Sequence, residues 1–298
     1  MPLVAHRPKG MGALAGLDEL DKLRLAGAQV IDLDAVAAEL FLVIDAAVRA
    51  APDGPLERID SIVRAINPLP EEHLVEIGPG QGALTRQLSA SGCQLDVIEL
   101  DRDLTAGLLA AFVRNPRFKL HRADALKFDF SSLVESAEQL RVVGNLPYNI
   151  STPLIIKLLE NAAIIKDMHF MLQLEVVERL AARPGGKNWG RLGIMAQYHC
   201  KVDNLFEVPP EAFSPRPKVQ SAIVRLTPMQ QLPWQACDVT HLRQVVQAAF
   251  AQRRKTLRNN LKGLIDTTRL ETLGIDPGAR AETLTLPQFI EITAAIHG

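Results

Sequence analysis

The stretch His73-Leu74-Val75-Glu76-Ile77-Gly78-Pro79-Gly80-Gln81-Gly82 decides how the rest of the chain is read. A short apolar run carrying one carboxylate and closed by glycine and proline is the pattern of a buried strand. Glycines at 78, 80 and 82 let the backbone turn tightly and approach a ligand without a Cβ in the way, and the helical segment 83–90 that follows presents free amides. Working outward, 95–100 reads as a second strand followed by a helix-like segment over 102–114. Further strands are expected at 118–121, 140–144 and 168–174, with 153–161 helical between the last two. Strands alternating with helices imply a mostly parallel sheet covered on both faces, an α/β fold whose ligands sit at the carboxyl ends of the strands.

Composition sets broad limits. A chain of 298 residues with 47% hydrophobic composition supports one large core and a smaller second domain. The net charge of −1 gives no whole-chain sign of a nucleic-acid partner, but the distribution does. Residues 239–265 contain no acid and carry Arg243, Arg253, Arg254, Lys255, Arg258 and Lys262. Cys93, Cys200 and Cys237 have no paired spacing, so neither a disulfide framework nor a metal site is expected. No apolar run approaches the roughly 20 residues of a membrane span and no signal peptide opens the chain, so a cytoplasmic protein is expected.

The carboxyl ends of the expected strands hold the residues with chemistry. The glycine loop alone admits a nicotinamide dinucleotide, with Glu99 lying about 20 residues on as the ribose-binding acid. Glu76, inside the first strand, is placed to order the loop and a bound amino-acid ammonium, and Asp124, after the third strand, to accept from an adenine amino group. Ribose, adenine and an amino-acid tail together fit S-adenosylmethionine better than a dinucleotide. Each acid has a plainer reading: Glu99 and Asp101 as solvated strand-end charges, and Asp124 as the cap of a turn before Leu126.

Residues 145–148 are Asn145, Leu146, Pro147 and Tyr148. The exocyclic nitrogen of adenine is a poor nucleophile because its lone pair is delocalised into the ring. Two acceptors aimed at its hydrogens draw that pair out of conjugation, and the Asn145 side-chain oxygen and Leu146 carbonyl supply them. Pro147 stiffens the turn, and Tyr148 offers a face on which a splayed-out base stacks, worth roughly 1–3 kcal/mol. Such sites act on a base removed from its stack. An ordinary Asn/Pro turn after a strand is the competing reading.

Taken in order, Val75-Glu76-Ile77-Gly78-Pro79-Gly80, Ile98-Glu99-Leu100-Asp101, Asp124-Ala125 and Asn145-Leu146-Pro147-Tyr148-Asn149 resemble the KsgA-type ribosomal RNA adenine dimethyltransferases. The resemblance continues through Pro184-Gly185-Gly186-Lys187, Gly190-Arg191-Leu192, the proline-rich stretch 208–219, the basic segment 250–261 and residues 284–289. It implies a Rossmann-like, S-adenosylmethionine-dependent methyltransferase domain over 56–207 and a mainly helical RNA-binding domain over 208–298. The implied reaction is methyl transfer to N6 of two adjacent adenosines in a hairpin near the 3′ end of small-subunit ribosomal RNA, on the small-subunit particle. By the same resemblance Glu99 binds the ribose and Asp124 the cofactor adenine. Gly78 and Gly80 bind the methionine side, with Glu76, Ala125 and Asn145 completing the cofactor set. Asn145, Leu146, Pro147 and Tyr148 hold the target base, with Phe213 stacked on its other side. Arg253, Arg254, Lys255 and Arg258, expected on little more than one turn of a helix, track phosphates. A monomer is expected.

The front of the chain departs from the family. Residues 1–55 carry eight acidic and five basic residues and lack the Gly, Gln, Asn, Phe, Leu run with which members close over the methionine end. A chain without that clamp could act as a non-catalytic RNA-binding assembly factor, although retention of Glu76, Glu99, Asp124 and the Asn145 turn argues against it. A third reading, a dimethyltransferase of large-subunit RNA, fits 208–219 and 284–289 less well.

Overall fold

A computed structural model of the chain describes residues 55–134, 139–212, 219–234 and 237–297. Helix α1 (Pro55–Ile66) leads into β1 (His73–Ile77), all five residues of which are buried. Then follow α2 (Ala83–Ala90), β2 (Gln94–Glu99), α3 (Arg102–Phe112), β3 (Phe118–Arg122), β4 (Leu140–Asn145), α4 (Tyr148–Glu160) and β5 (Ile165–Gln173). Strands β1 to β5 are mutually parallel, in the order β3-β2-β1-β4-β5. Because successive crossovers run outward from β1 in opposite directions, the sheet has its topological switch point between β1 and β4, where open α/β sheets bind ligands.

Apolar side chains on both faces of the central strands account for their continuous hydrophobic runs. On one face Val75, Ile77, Ile98 and Val142 pack against Leu154, Ile155 and Leu158 of α4. On the other, Leu74, Leu95, Val97 and Val143 pack against Ile66 of α1 and Leu88 of α2.

The sheet extends past the boundary drawn at 207/208 from sequence. After α5 (Leu174–Leu180) and α6 (Arg191–His199), strand β6 (Cys200–Val208) pairs antiparallel with β7 (Ser221–Pro228), and β7 inserts between β5 and β6, antiparallel to both. The pairing that joins β7 to β5 and β6 is non-local, so no local pattern reports it. The helical part therefore occupies α7 (Val239–Ala249), α8 (Leu257–Asn260), α9 (Thr267–Thr272) and α10 (Leu286–His297). Its core includes Leu242, Val246, Leu257, Leu270 and Phe289, together with Ile194 and Tyr198 of α6. Trp189 Nε1 donates to the Leu284 carbonyl at 2.8 Å, tying the loop before α6 to that core.

Helix α4 also starts earlier than the sequence suggested. The sequence reading put its start at Pro153, a residue that helix interiors disfavour. The Pro147 carbonyl instead accepts from the Ile150 and Ser151 amides, so the helix opens at Tyr148 and carries Pro153 inside it. The Asn145 turn thus runs directly into a helix.

Candidate active site

The residues with chemistry meet at the carboxyl edge of β1, β2, β3 and β4. Gly78, Gly80 and Gly82 have φ of 65°, 58° and 83°, the left-handed region that side chains avoid. A Cβ on Gly82 would lie 2.8 Å from Leu108 of α3, so this corner also fixes how α2 and α3 pack. Register places three polar side chains on one face. Glu76 pairs with Val97 and Val143, and Glu99 and Asn145 lie two residues beyond those partners, so all three point the same way.

Burial sets the electrostatics. Glu76 is 2% exposed, and its Oε2 has no hydrogen-bond partner among the described residues. Burial pushes its carboxyl up to about 7, opposed by the Thr85 hydroxyl and reinforced by the charge of Glu99. Glu99 Oε1 accepts from the Asp101 amide at 2.9 Å, while its buried Oε2 is unpaired among the described residues. Burial raises this carboxyl too, against the backbone amides that favour its charge. Two buried carboxylates with unfilled acceptor oxygens beside a left-handed glycine loop form a cradle missing its donors. A ribose diol and an ammonium are donors of the required kind, so these residues fit S-adenosylmethionine.

Asp124 Oδ1 caps the Leu126 amide at 2.9 Å, the plainer role foreseen for it, and Oδ2 lies 3.8 Å from Lys127 Nζ. Neighbouring Ala125 is buried and the carboxylate partly exposed, so a lone pair remains available. Asp101 caps α3 through the Asp103 amide at 2.7 Å.

At the end of β4 the Leu146 amide donates to Met171 O at 3.2 Å, which anchors the turn to β5. Neither the Asn145 side chain nor the Leu146 carbonyl takes a partner among the described residues. The Asn145 side chain and the Leu146 carbonyl are acceptors on consecutive residues, the kind of pair an exocyclic amine can take. Tyr148 opens α4; its side chain, and Phe213 within 213–218, lie outside the description.

Sequence reading overlooked two residues here. A Cβ on Gly144 would sit 2.5 Å from the Ile77 carbonyl, so only glycine lets β4 approach β1 beside the loop. Thr85, fully buried in the first turn of α2, faces Glu76. A glycine directly before Asn145 was the one signal for the first, and nothing local marked the second.

The basic residues do not share one helix as expected. Helix α7 stops at Ala249 because Asn260 Nδ2 donates to the carbonyls of Ala249 at 2.6 Å and Gln252 at 3.1 Å, substituting for the next helical turn. Arg253, Arg254 and Lys255 lie in the following turn, and Arg258 lies in α8. Arg253 is partly committed, donating to Lys187 O at 2.8 Å and pairing with Glu282 at 3.4 Å, whereas Arg254, Lys255 and Arg258 are exposed.

This fold and site define a Rossmann-like methyltransferase. A model of the ribosomal RNA adenine dimethylase family matches residues 57–297. The ribosomal RNA small subunit methyltransferase A of Pseudomonas putida is 59% identical over 234 residues, covering 78% of this chain and 88% of that protein. Its counterpart in Pseudomonas aeruginosa is 61% identical over 78% of this chain and 87% of that protein. Among solved structures, a dimethyladenosine transferase from Plasmodium falciparum superposes with TM-score 0.69 at 25% identity, covering 79% of this chain and 94% of that one. The 23S rRNA methyltransferase ErmE superposes with TM-score 0.63 at 24% identity over 81% of this chain and 98% of that one, a likeness of fold. The chain belongs to the ribosomal RNA adenine dimethylase family and is an S-adenosylmethionine-dependent rRNA adenine dimethyltransferase.

Proposed function

We propose that the chain methylates N6 of two adjacent adenosines in a hairpin near the 3′ end of small-subunit ribosomal RNA, giving N6,N6-dimethyladenosine on the small-subunit particle. The observation that carries this reading is that Asn145 and the Leu146 carbonyl, without partners among the described residues, lie on the same strand edge as Glu76 and Glu99, whose Oε2 atoms are likewise unpaired there. The names and high identity of the Pseudomonas relatives favour small-subunit over large-subunit RNA.

S-adenosylmethionine supplies an electrophilic methyl group when bound. Glu99 accepts from the ribose hydroxyls, Asp124 Oδ2 and the Ala125 backbone border the adenine, and Gly78 and Gly80 admit the methionine side, whose ammonium Glu76 orders. Asn145 Oδ1 and Leu146 O accept the two N6 hydrogens and release the lone pair for attack; Pro147 holds them in place, and Tyr148 and Phe213 sandwich the base. Once nitrogen carries a fourth substituent it is acidic and its proton leaves to solvent, so no strong general base is required. Catalysis then rests on alignment, which can supply a large part of the rate. Arg253, Arg254, Lys255 and Arg258 contact RNA phosphates. The protein works as a cytoplasmic monomer, and among the described residues no helix is long and apolar enough to cross a membrane.

The test is methyl transfer to undermethylated small-subunit particles, with nucleosides read by mass spectrometry, for the parent and Asn145→Ala. Dimethyladenosine from the parent and a loss of about 100-fold or more in the variant are expected, the scale on which misalignment acts. No product from the parent, with particle binding intact, would leave the assembly-factor reading in its place.

A further inference from the structure

A solvent-open cleft of about 650 Å³ lies among α4, α5, α6 and α7. Arg179, Lys187, Arg191, Arg243 and Arg253 line it against a single acid, Glu175. Three of these cations are paired: Arg179 with Glu175, Arg243 with Glu160 at 2.8 Å, and Arg253 with Glu282. Lys187 and Arg191 are exposed and have no acid partner among the described residues. Arg243 Nε is buried and unpaired among those residues. Helix α6, nine residues long, begins at Arg191 behind Gly190, which has no side chain to cap it, and the amides of Arg191, Leu192 and Gly193 meet no acceptor among the described residues. Cations from separate segments converging on one concavity repel one another unless an anion lies between them, and the start of α6 adds the positive end of its dipole. Met195 and Phe250 add apolar surface to its lining.

Position narrows the anion. Thr152 and Ile156 of α4 form one wall, and Thr152 follows Tyr148 by four residues, about 6 Å along the helix axis. That is one to two nucleotide steps of a stacked strand, at about 3.4 Å each. We propose that this cleft seats the phosphodiester backbone of the RNA strand flanking the target adenosine, with Lys187 and Arg191 as its phosphate contacts. The inference rests on the RNA-methylating reading above and adds a second contact surface, apart from the exposed Arg254, Lys255 and Arg258.

The test compares the full-length parent, the double variant Lys187→Ala/Arg191→Ala, the reversal Arg191→Glu, and Lys119→Ala on the exposed edge of β3 as a control for general charge. KM and kcat are measured on undermethylated particles, particle affinity by filter binding across a salt titration, and cofactor affinity by calorimetry. For the double variant KM rises about tenfold and the slope of log affinity against log salt becomes shallower by about 1.4 to 1.8, the loss of two phosphate contacts. Cofactor affinity stays within twofold, Arg191→Glu is worse than the double variant, and Lys119→Ala matches the parent. Unchanged KM and slope, an equal loss in Lys119→Ala, or a fall in kcat alone overturns the assignment. Absence of dimethyladenosine from the parent would instead count against the proposed reaction, while the binding arm still reads the cleft.

Discussion

Glu76 makes the stability of the cofactor-free protein fall as pH rises, and Glu76→Gln should remove that dependence. Its carboxyl is pushed from 4.5 to about 7, mainly by burial. A folded-state value above the unfolded one means that the group's stabilising contribution is complete below 4.5 and is lost as pH rises through 7. That rise corresponds to about 3 kcal/mol in full, of which about 2 kcal/mol falls between about pH 5.5 and 8.5. For a domain of this size that is about 4–8 °C in Tm. Glutamine has the same shape and no charge, so the difference in melting temperature between parent and Glu76→Gln, taken at each pH without cofactor, isolates this group from every other titration. The variant gains on the parent steadily from pH 5.5 to 8.5. On the role proposed for Glu76, saturating S-adenosylmethionine reverses the ranking at high pH, because an ammonium would pair with the ionised carboxylate and not with the amide. Parallel melting curves for the two proteins across that range would show that Glu76 is not a desolvated acid in the folded state, and the cradle argument would go with it.

Further expectations follow from single contacts. Gly144→Ala places a Cβ against the Ile77 carbonyl and should destabilise by about 1–3 kcal/mol, read by denaturant titration, with activity falling further because Asn145 moves with its strand. Asn260→Ala strips the carbonyls of Ala249 and Gln252 of their donor and should cost about 1–2 kcal/mol; amide exchange is expected to rise first at the end of α7. A triple alanine replacement of Arg254, Lys255 and Arg258 should flatten the salt dependence of particle binding by about 2–3 in slope, and an unchanged slope would remove them from the interface.

The fold class was legible because the central strands β1 and β4 are short, largely apolar runs closed by turn-forming residues, as at Ile77-Gly78-Pro79 and Asn145-Leu146-Pro147, and local chemistry marks those breaks. The candidate site was legible for a related reason: Glu76, Glu99, Asp124 and Asn145 all sit where a strand ends, and in a parallel sheet those ends share one edge. Sequence marked which residues are candidates for the chemistry and placed them at neighbouring strand ends. Tertiary structure alone decided that Glu76, Glu99 and Asn145 point the same way, since facing depends on pairing register between strands far apart in the chain. It alone decided that β7 inserts between β5 and β6, beyond the boundary drawn from sequence. The basic run was visible in sequence, but its path was set by Asn260, eleven residues beyond Ala249, and the convergence of Lys187, Arg191 and Arg243 on one cleft was set by packing between α6 and the helical part. Propensity and spacing act within a few residues; register, caps reached from a distance and the meeting of like charges exist only once the chain has closed on itself.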